Sequence, residues 1–118
     1  MLSLHSGNRY LLYQGWADAR KSFDGLSGIV TNEMDLPLQT GDVFIFINRR
    51  RTHIKLLQWE GDGYGIYCKR LEEGTFEMPA GRTGIHVQLT SRQLMLILQG
   101  VSLKKVVYRK RYRPRQTA

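Results

Sequence analysis

A chain of 118 residues, of which 42% are hydrophobic and 24% are charged, has the size and composition of one globular domain, which excludes a disordered or fibrous protein. Its longest apolar runs, such as 94–98, are far shorter than the roughly 20 residues of a membrane helix, and the N-terminus lacks the pattern of a signal peptide. We therefore expect a cytoplasmic protein that makes no contact with a membrane. The single cysteine, Cys68, excludes an internal disulfide, and we expect a buried, reduced thiol.

The N-terminal third predicts one strand and one helix. The apolar run over 10–16 is typical of a short strand. Asp18 can cap the helix that follows. Apolar residues then recur at spacings of three and four, as on the inward face of a helix: Phe23, Leu26, Val30 and Met34. Pro37 and Gly41 bound the next loop.

The central part of the chain predicts an antiparallel meander. Four strands are expected, over 43–47, 53–60, 64–69 and 75–78. The first is a continuous β-branched and aromatic run, typical of a central strand that is covered on both faces. Asp62-Gly63 favours a type I′ turn between the second and third strands.

The clearest helix signal lies near residue 95, after a further strand predicted over 84–89. Thr90 and Gln93 have the spacing of a capping box, Leu89 and Leu94 can form a hydrophobic staple, and Gly100 is a stop signal. Together these elements predict an α+β domain over 1–103, with an antiparallel sheet of four to six strands and two short helices.

Basic residues are concentrated after this domain, in a C-terminal arm over 104–118. The arm holds seven of the 18 basic residues and none of the ten acidic residues, so the rest of the chain is nearly neutral. These seven are Lys104, Lys105, Arg109, Lys110, Arg111, Arg113 and Arg115. Such an arm suits nucleic-acid phosphates, because lysine and arginine displace condensed counterions; the alternative is a solvated tail that aids solubility. Because the arm has few apolar side chains, we expect its deletion to leave the melting temperature unchanged.

No catalytic or metal-binding constellation is evident in the sequence. Each acidic residue fits a structural role, such as a turn, a cap or a strand start, rather than a paired-carboxylate site. The histidines are far apart and lack the spacing of a metal pair: His5, His53 and His86. The glycines at 61, 63 and 65 alternate through a hairpin and do not form a phosphate loop. We therefore expect no enzymatic activity, no metal and no cofactor.

Several spaced motifs resemble those of a known family. The string over 18–26, DARKSFDGL, is similar to the D-x-R-K-x-x-D-G-L opening of the TnpB accessory proteins from insertion sequences of the family numbered sixty-six. Similar blocks follow in order over 41–46, 49–51, 54–57, 59–63, 69–72, 74–76 and Pro79, and residues 89–100 resemble that family's last helix. The resemblance covers 18–100. Ala19 and Met78 depart from it, because the family usually has a larger apolar residue and a tryptophan there.

The resemblance implies a non-enzymatic accessory protein that is encoded beside a separate transposase and needed for efficient movement of the element. Together with the distribution of charge, it leads to the hypothesis that the chain binds DNA phosphates and assists that transposase. The alternative is a protein-interaction subunit that binds the transposase or another acidic partner without contacting nucleic acid.

Basic residues at motif positions are candidates to bind DNA together with the arm. They are Arg20, Lys21, Arg49, Arg50, Arg51, Lys69 and Arg70. If the helix after Asp18 packs beside the strand that carries Lys69, these side chains form one basic face. The alternative is that Arg20 and Arg70 form structural ion pairs with Asp24 or Glu72. We expect Trp59 in the core rather than on a surface that stacks on bases.

Overall fold

The computed structural model describes residues 7–79, 84–103 and 111–112, which form one five-stranded sheet and two helices. The strands are β1 (Tyr10–Tyr13), β2 (Val43–Ile47), β3 (His53–Trp59), β4 (Tyr64–Arg70) and β5 (His86–Leu89). The helices are α1 (Phe23–Asn32) and α2 (Ser91–Gln99). The predicted α+β class is confirmed.

The strands lie in the order β4-β3-β2-β1-β5. Three of the four neighbouring pairs are antiparallel, and β1 and β2 are parallel, because α1 carries the chain back along the sheet before β2 begins. The carboxyl ends of β1, β2 and β4 consequently lie at one end of the sheet, together with the first residues of β3 and β5. The loops at this end carry Arg20, Lys21 and the three arginines over 49–51, and β4 ends there with Lys69 and Arg70.

The sheet has a hydrophobic cluster on each face. Side chains alternate along a strand, so Val43, Ile45 and Ile47 of β2 pack with α2, whereas Phe44 and Phe46 pack with α1. All five residues of β2 are buried, as predicted for a central strand. The two helices therefore cover opposite faces.

Helix α1 begins later than the sequence predicted. Its N-cap is Ser22, which makes no side-chain capping bond, and the prediction that Asp18 caps this helix is wrong. Leu26, Val30 and Met34 are buried as predicted, but the side chain of Phe23 is 44% exposed, because the helix begins at this residue and has no earlier turn to shield it.

Helix α2 forms as predicted. Thr90 Oγ1 accepts the Gln93 N–H at 3.1 Å, and Gln93 Oε1 accepts the Thr90 N–H at 2.8 Å, which completes the capping box. Gly100 ends the helix in the left-handed region, with φ +81°. Leu89 and Leu94 lie in the same hydrophobic cluster.

Three local predictions are wrong. Residues 75–78 form no strand; Phe76 is buried instead, and its N–H donates to Arg51 O at 2.7 Å. The β3–β4 connection has four residues, with positive φ at Gly61 and not at Asp62 or Gly63, so it is not a two-residue type I′ turn. Cys68 is exposed, because β4 is an edge strand.

Candidate nucleic-acid interface

The loop between β2 and β3 presents three consecutive arginines and is held closed by Asn48. Asn48 Oδ1 accepts the N–H groups of Thr52 and His53, both at 2.9 Å, and Asn48 O accepts the Arg51 N–H at 2.9 Å. The Asn48 amide also donates to Thr52 Oγ1 at 3.1 Å. The side chain of Asn48 therefore bonds two backbone N–H groups of the turn and its carbonyl a third, which defines the conformation that presents the arginines.

The same loop is tied to the segment that follows β4. Arg51 adopts φ +58°, and its carbonyl accepts the Phe76 N–H, while Thr52 O accepts the Leu71 N–H at 2.8 Å. Arg49 and Arg50 are exposed and, among the residues that the structure describes, neither has a carboxylate within ion-pairing distance. Their charges are available to a ligand.

The segment before α1 lies against this loop because of two backbone anchors. The Ala17 N–H donates to Ile47 O at 3.0 Å. Lys55 extends from the middle of β3, and its Nζ donates to Ala19 O at 2.8 Å and to Lys21 O at 2.5 Å. A lysine placed among the apolar residues of a buried strand was the sequence signal for this anchor, but its partners depend on the tertiary fold.

These anchors bring Arg20 together with Arg49 and Arg50. The three arginines line one open cleft of about 540 Å³ with Asp18, Ala19 and Asn48. We call Arg20, Arg49 and Arg50 the arginine cluster. Lys21 is also exposed in this segment. Helix α1 begins beside the cluster, so the positive end of its dipole adds to the potential there.

Arg20 forms a two-pronged ion pair with Asp18. Its Nε donates to Asp18 Oδ1 at 3.1 Å, its NH2 group to Oδ2 at 2.8 Å, and its backbone N–H to Oδ1 at 2.8 Å. These bonds hold the pKa of Asp18 well below its usual range and raise the pKa of Arg20. An ion pair was one of the two interpretations of Arg20, but its partner is Asp18 and not Asp24.

Lys69 and Arg70 lie at the same end of the sheet but line a different cleft. Arg70 lies opposite His53 in the register of β3 and β4. Its guanidinium forms an ion pair with Glu72 at 3.0 Å, in agreement with the alternative interpretation. Lys69 Nζ donates to Leu98 O at 3.0 Å, at the carboxyl end of α2. The expected single basic face is thus divided between two clefts, and Lys69 stabilises a helix end.

Arg111 lies against the domain beside Lys69. Its NH1 group donates to Thr75 O at 3.1 Å, its NH2 group to Ile97 O at 3.4 Å, and its guanidinium lies 5.3 Å from the centre of the Phe76 ring. Tyr112 follows with a 61% exposed side chain. The other basic residues of the arm lie outside the described residues: Lys104, Lys105, Arg109, Lys110, Arg113 and Arg115.

Trp59 is far from these clefts, at the opposite end of β3. It is half-buried and belongs to neither hydrophobic cluster, so the expectation that it lies in the core is wrong. Its ring packs edge-on against Tyr64 with a centroid distance of 4.9 Å.

Two acidic side chains of the described segments are held by structural hydrogen bonds. Asp42 is buried at the start of β2 and receives two bonds from Arg9, at 3.1 Å and 2.6 Å. Glu33 accepts a hydrogen bond from the Tyr13 hydroxyl at 2.9 Å, and burial together with this carboxylate raises the pKa of Tyr13.

Within 7–79, 84–103 and 111–112, no three histidine, cysteine or acidic side chains come together as metal ligands. In the same ranges, no helix is long and apolar enough to cross a bilayer.

Comparison with known protein families gives a match over most of the chain. The family model described as IS66 Orf2 like protein matches residues 8–108. The chain belongs to the IS66 Orf2-like family. This family connects it to transposition and to insertion sequences, in agreement with the resemblance of the motifs over 18–100, and it is a family of accessory proteins rather than of known enzymes.

Two uncharacterized proteins of Sinorhizobium fredii (strain NBRC 101917 / NGR234) are similar to this IS66 Orf2-like chain. The protein y4jC is 25% identical over 118 residues, which is the full length of both chains. The protein y4hO is 28% identical over 101 residues, covering 86% of this chain and 87% of its own. No solved structure matches the chain significantly.

Proposed function

We propose that this IS66 Orf2-like chain is a non-enzymatic transposition factor that binds DNA phosphates and assists the transposase of the same element. The observation that carries the proposal is the arginine cluster, in which Arg49 and Arg50 are exposed beside Arg20, without acidic partners among the described residues. Arginine side chains of this kind bind phosphate oxygens and release counterions from the duplex. The hydrogen bonds of the loop favour the contact, because less backbone freedom is then given up on binding.

Two further features support a polyanionic ligand at this end of the sheet. The N-terminus of α1 has no side-chain cap and lies next to the cluster, so its first N–H groups favour an anion. The basic arm of 104–118 adds charge to a chain that is otherwise nearly neutral. Cluster and arm would together give a strong dependence of affinity on salt.

The test is a titration of duplex DNA with the full-length protein at several salt concentrations. Replacing both Arg49 and Arg50 by alanine should weaken binding to unrelated sequences alike. It should also flatten the plot of log affinity against log salt by up to about two units, one for each phosphate that is no longer neutralised. Replacing Lys110, Arg111 and Arg113 by alanine should flatten it by up to about three units. Arg92→Ala is the matched control, because Arg92 is exposed at the opposite end of the sheet, on the first turn of α2.

A different result would favour the second function. If the intact protein bound neither DNA nor RNA at low salt but bound its transposase directly, the chain would be a protein-interaction subunit. If Arg92→Ala weakened DNA binding as much as the double variant, the attraction would be a general effect of net charge, and the arginine cluster would have no special part in it.

A further inference from the structure

Arg20 is held in a way that Arg49 and Arg50 are not. Asp18 occupies the side of its guanidinium formed by Nε and NH2. A guanidinium has five N–H donors, so both donors of NH1 and one of NH2 remain. One N–H of NH1 and the remaining N–H of NH2 form a second, parallel fork at the tip of the side chain. That side chain is 90% exposed, so the fork is presented to solvent.

The backbone that carries this pair is fixed from several directions. The Arg20 N–H is bound to Asp18 Oδ1, Lys55 holds the carbonyls on either side of Arg20, and Ala17 is bonded to the end of β2. An arginine on a free loop would lose rotamer entropy on binding. The bonds from Asp18 favour one conformation of Arg20 before a ligand binds, which lowers this cost.

We infer that Arg20 reads a guanine in the major groove of duplex DNA, with Asp18 as its positioning residue and Arg49 and Arg50 on the neighbouring phosphates. The inference rests on the proposed function and names the contact that would give it sequence preference. Guanine presents O6 and N7 as two adjacent acceptors, and an arginine fork matches them with two parallel hydrogen bonds. Duplex RNA does not offer the same contact, since its major groove is too narrow and deep for side chains.

The charge of the pair favours a base edge over a phosphate. Arg20 and Asp18 are together neutral, so they gain little long-range attraction to a phosphate, and the Asp18 carboxylate repels one. A base edge is uncharged, so the strength of its contact with a protein depends on aligned hydrogen-bond donors rather than on net charge. Arg49 and Arg50 have no such carboxylate among the described residues, so their net positive charge favours a phosphate over a base edge. Asp18 can also accept a hydrogen bond from the amino group of a nearby cytosine.

The experiment selects preferred sequences from a random duplex library with the full-length protein, and then with Arg20→Ala, Arg49→Ala and Arg92→Ala. The wild-type protein should enrich a guanine at one position, and replacing that guanine should weaken binding by about five-fold to 150-fold. Arg20→Ala should abolish this preference while binding of unrelated DNA persists. Arg49→Ala should weaken all sequences and keep the preference, and Arg92→Ala should change neither.

Two further measurements separate a base contact from a phosphate contact. Substituting 7-deazaguanine at the selected position removes the N7 acceptor and should weaken the wild-type protein but not Arg20→Ala. Asp18→Asn should reduce the preference for guanine without unfolding the domain, because both side chains of the pair are exposed.

The inference is overturned if Arg20→Ala weakens every sequence equally and flattens the salt dependence by about one unit, since that result identifies a phosphate contact. It is equally overturned if the wild-type protein enriches no guanine, or if Arg20→Ala retains the preference. In each of these cases DNA binding itself remains, so the proposed function stands. Absence of any DNA binding by the wild-type protein would overturn the proposed function and this inference with it.

Discussion

Asp18 illustrates how one carboxylate can organise a short segment without capping a helix. It accepts two bonds from the Arg20 guanidinium and one from the Arg20 N–H, and these bonds stabilise its charged form. An aspartate a few residues before a helix is a natural candidate for a cap. The side chain of Arg20, two positions later, provides a charged partner that the backbone N–H groups of the helix do not match.

The first prediction concerns the titration of this carboxylate. The pKa of Asp18 should lie below its ordinary value of about 3.9, and Arg20→Ala should raise it towards that value. Carbon-detected NMR of the side-chain carboxyl group during a pH titration measures both. Because the folded pKa is the lower one, any stability from the pair is present above about pH 4 and is lost as the pH falls towards the folded pKa. Arg92→Ala should leave the curve of Asp18 unchanged; a shift there would mean that overall charge lowers the pKa.

At the scale of single elements, Asn48 determines the shape of the β2–β3 loop. Its side-chain oxygen accepts two backbone N–H groups, from Thr52 and His53, that would otherwise lack a partner in the turn. The loop in turn presents Arg49 and Arg50. Asn48 therefore supports the folded loop, and if the loop binds DNA as proposed, substitutions of Asn48 should change both stability and binding. Two substitutions can separate these effects.

The second prediction compares two changes of Asn48. Asn48→Ala removes the acceptor and should lower the free energy of unfolding by roughly 1 to 3 kcal/mol in urea denaturation, with weaker DNA binding. Asn48→Asp keeps an oxygen for both N–H groups and should retain most of the stability. It adds a negative charge beside the arginine cluster, however, and should weaken DNA binding at low salt. Equal loss of stability in both variants would show that the side-chain NH2 group of Asn48, rather than its side-chain oxygen, stabilises the loop.

Local sequence patterns predicted local structure well, but they did not predict contacts between segments that are distant in the sequence. The capping box of α2 depends on Thr90 and Gln93, three residues apart, so the sequence contained all of its information. The parallel pairing of β1 and β2 and the bond from Lys55 to the segment before α1 depend on how remote segments pack. The prediction for the turn after β3 was wrong for a different reason. Several glycines lie close together in the sequence there, and only the folded chain determines that Gly61 is the one with positive φ.

At the scale of the whole molecule, strand direction determines where charge collects. Arg20 follows β1, Arg49 and Arg50 follow β2, and Arg70 ends β4, so the topology brings all of them to one end of the sheet. The sequence identified these residues as candidates but not their division between two clefts. That division follows from side-chain alternation, because Lys55 and Lys69 point to opposite faces.

Arg111 connects the basic arm to the stability of the domain. Its guanidinium donates to Thr75 O, next to Phe76, and to Ile97 O in the last turn of α2. It also packs against Gly100, where an added Cβ would lie 3.1 Å from Cζ. Together with Lys69 it places positive charge at the carboxyl end of α2, where the helix dipole favours it. The expectation that the arm is dispensable for stability did not include this contact.

The third prediction therefore replaces that expectation. Arg111→Ala should lower the free energy of unfolding by about 1 kcal/mol, because two carbonyl groups lose a charged donor, and the melting temperature should fall by several degrees. Arg113→Ala removes the same charge from a neighbouring position and is the matched control for a purely electrostatic effect. Thermal unfolding of the two variants and of a chain lacking 104–118 measures the difference. We expect the deletion to be at least as destabilising as Arg111→Ala. If both substitutions left the melting temperature unchanged, the contact of Arg111 would contribute nothing to stability. The expectation that deletion of 104–118 leaves the melting temperature unchanged would then stand.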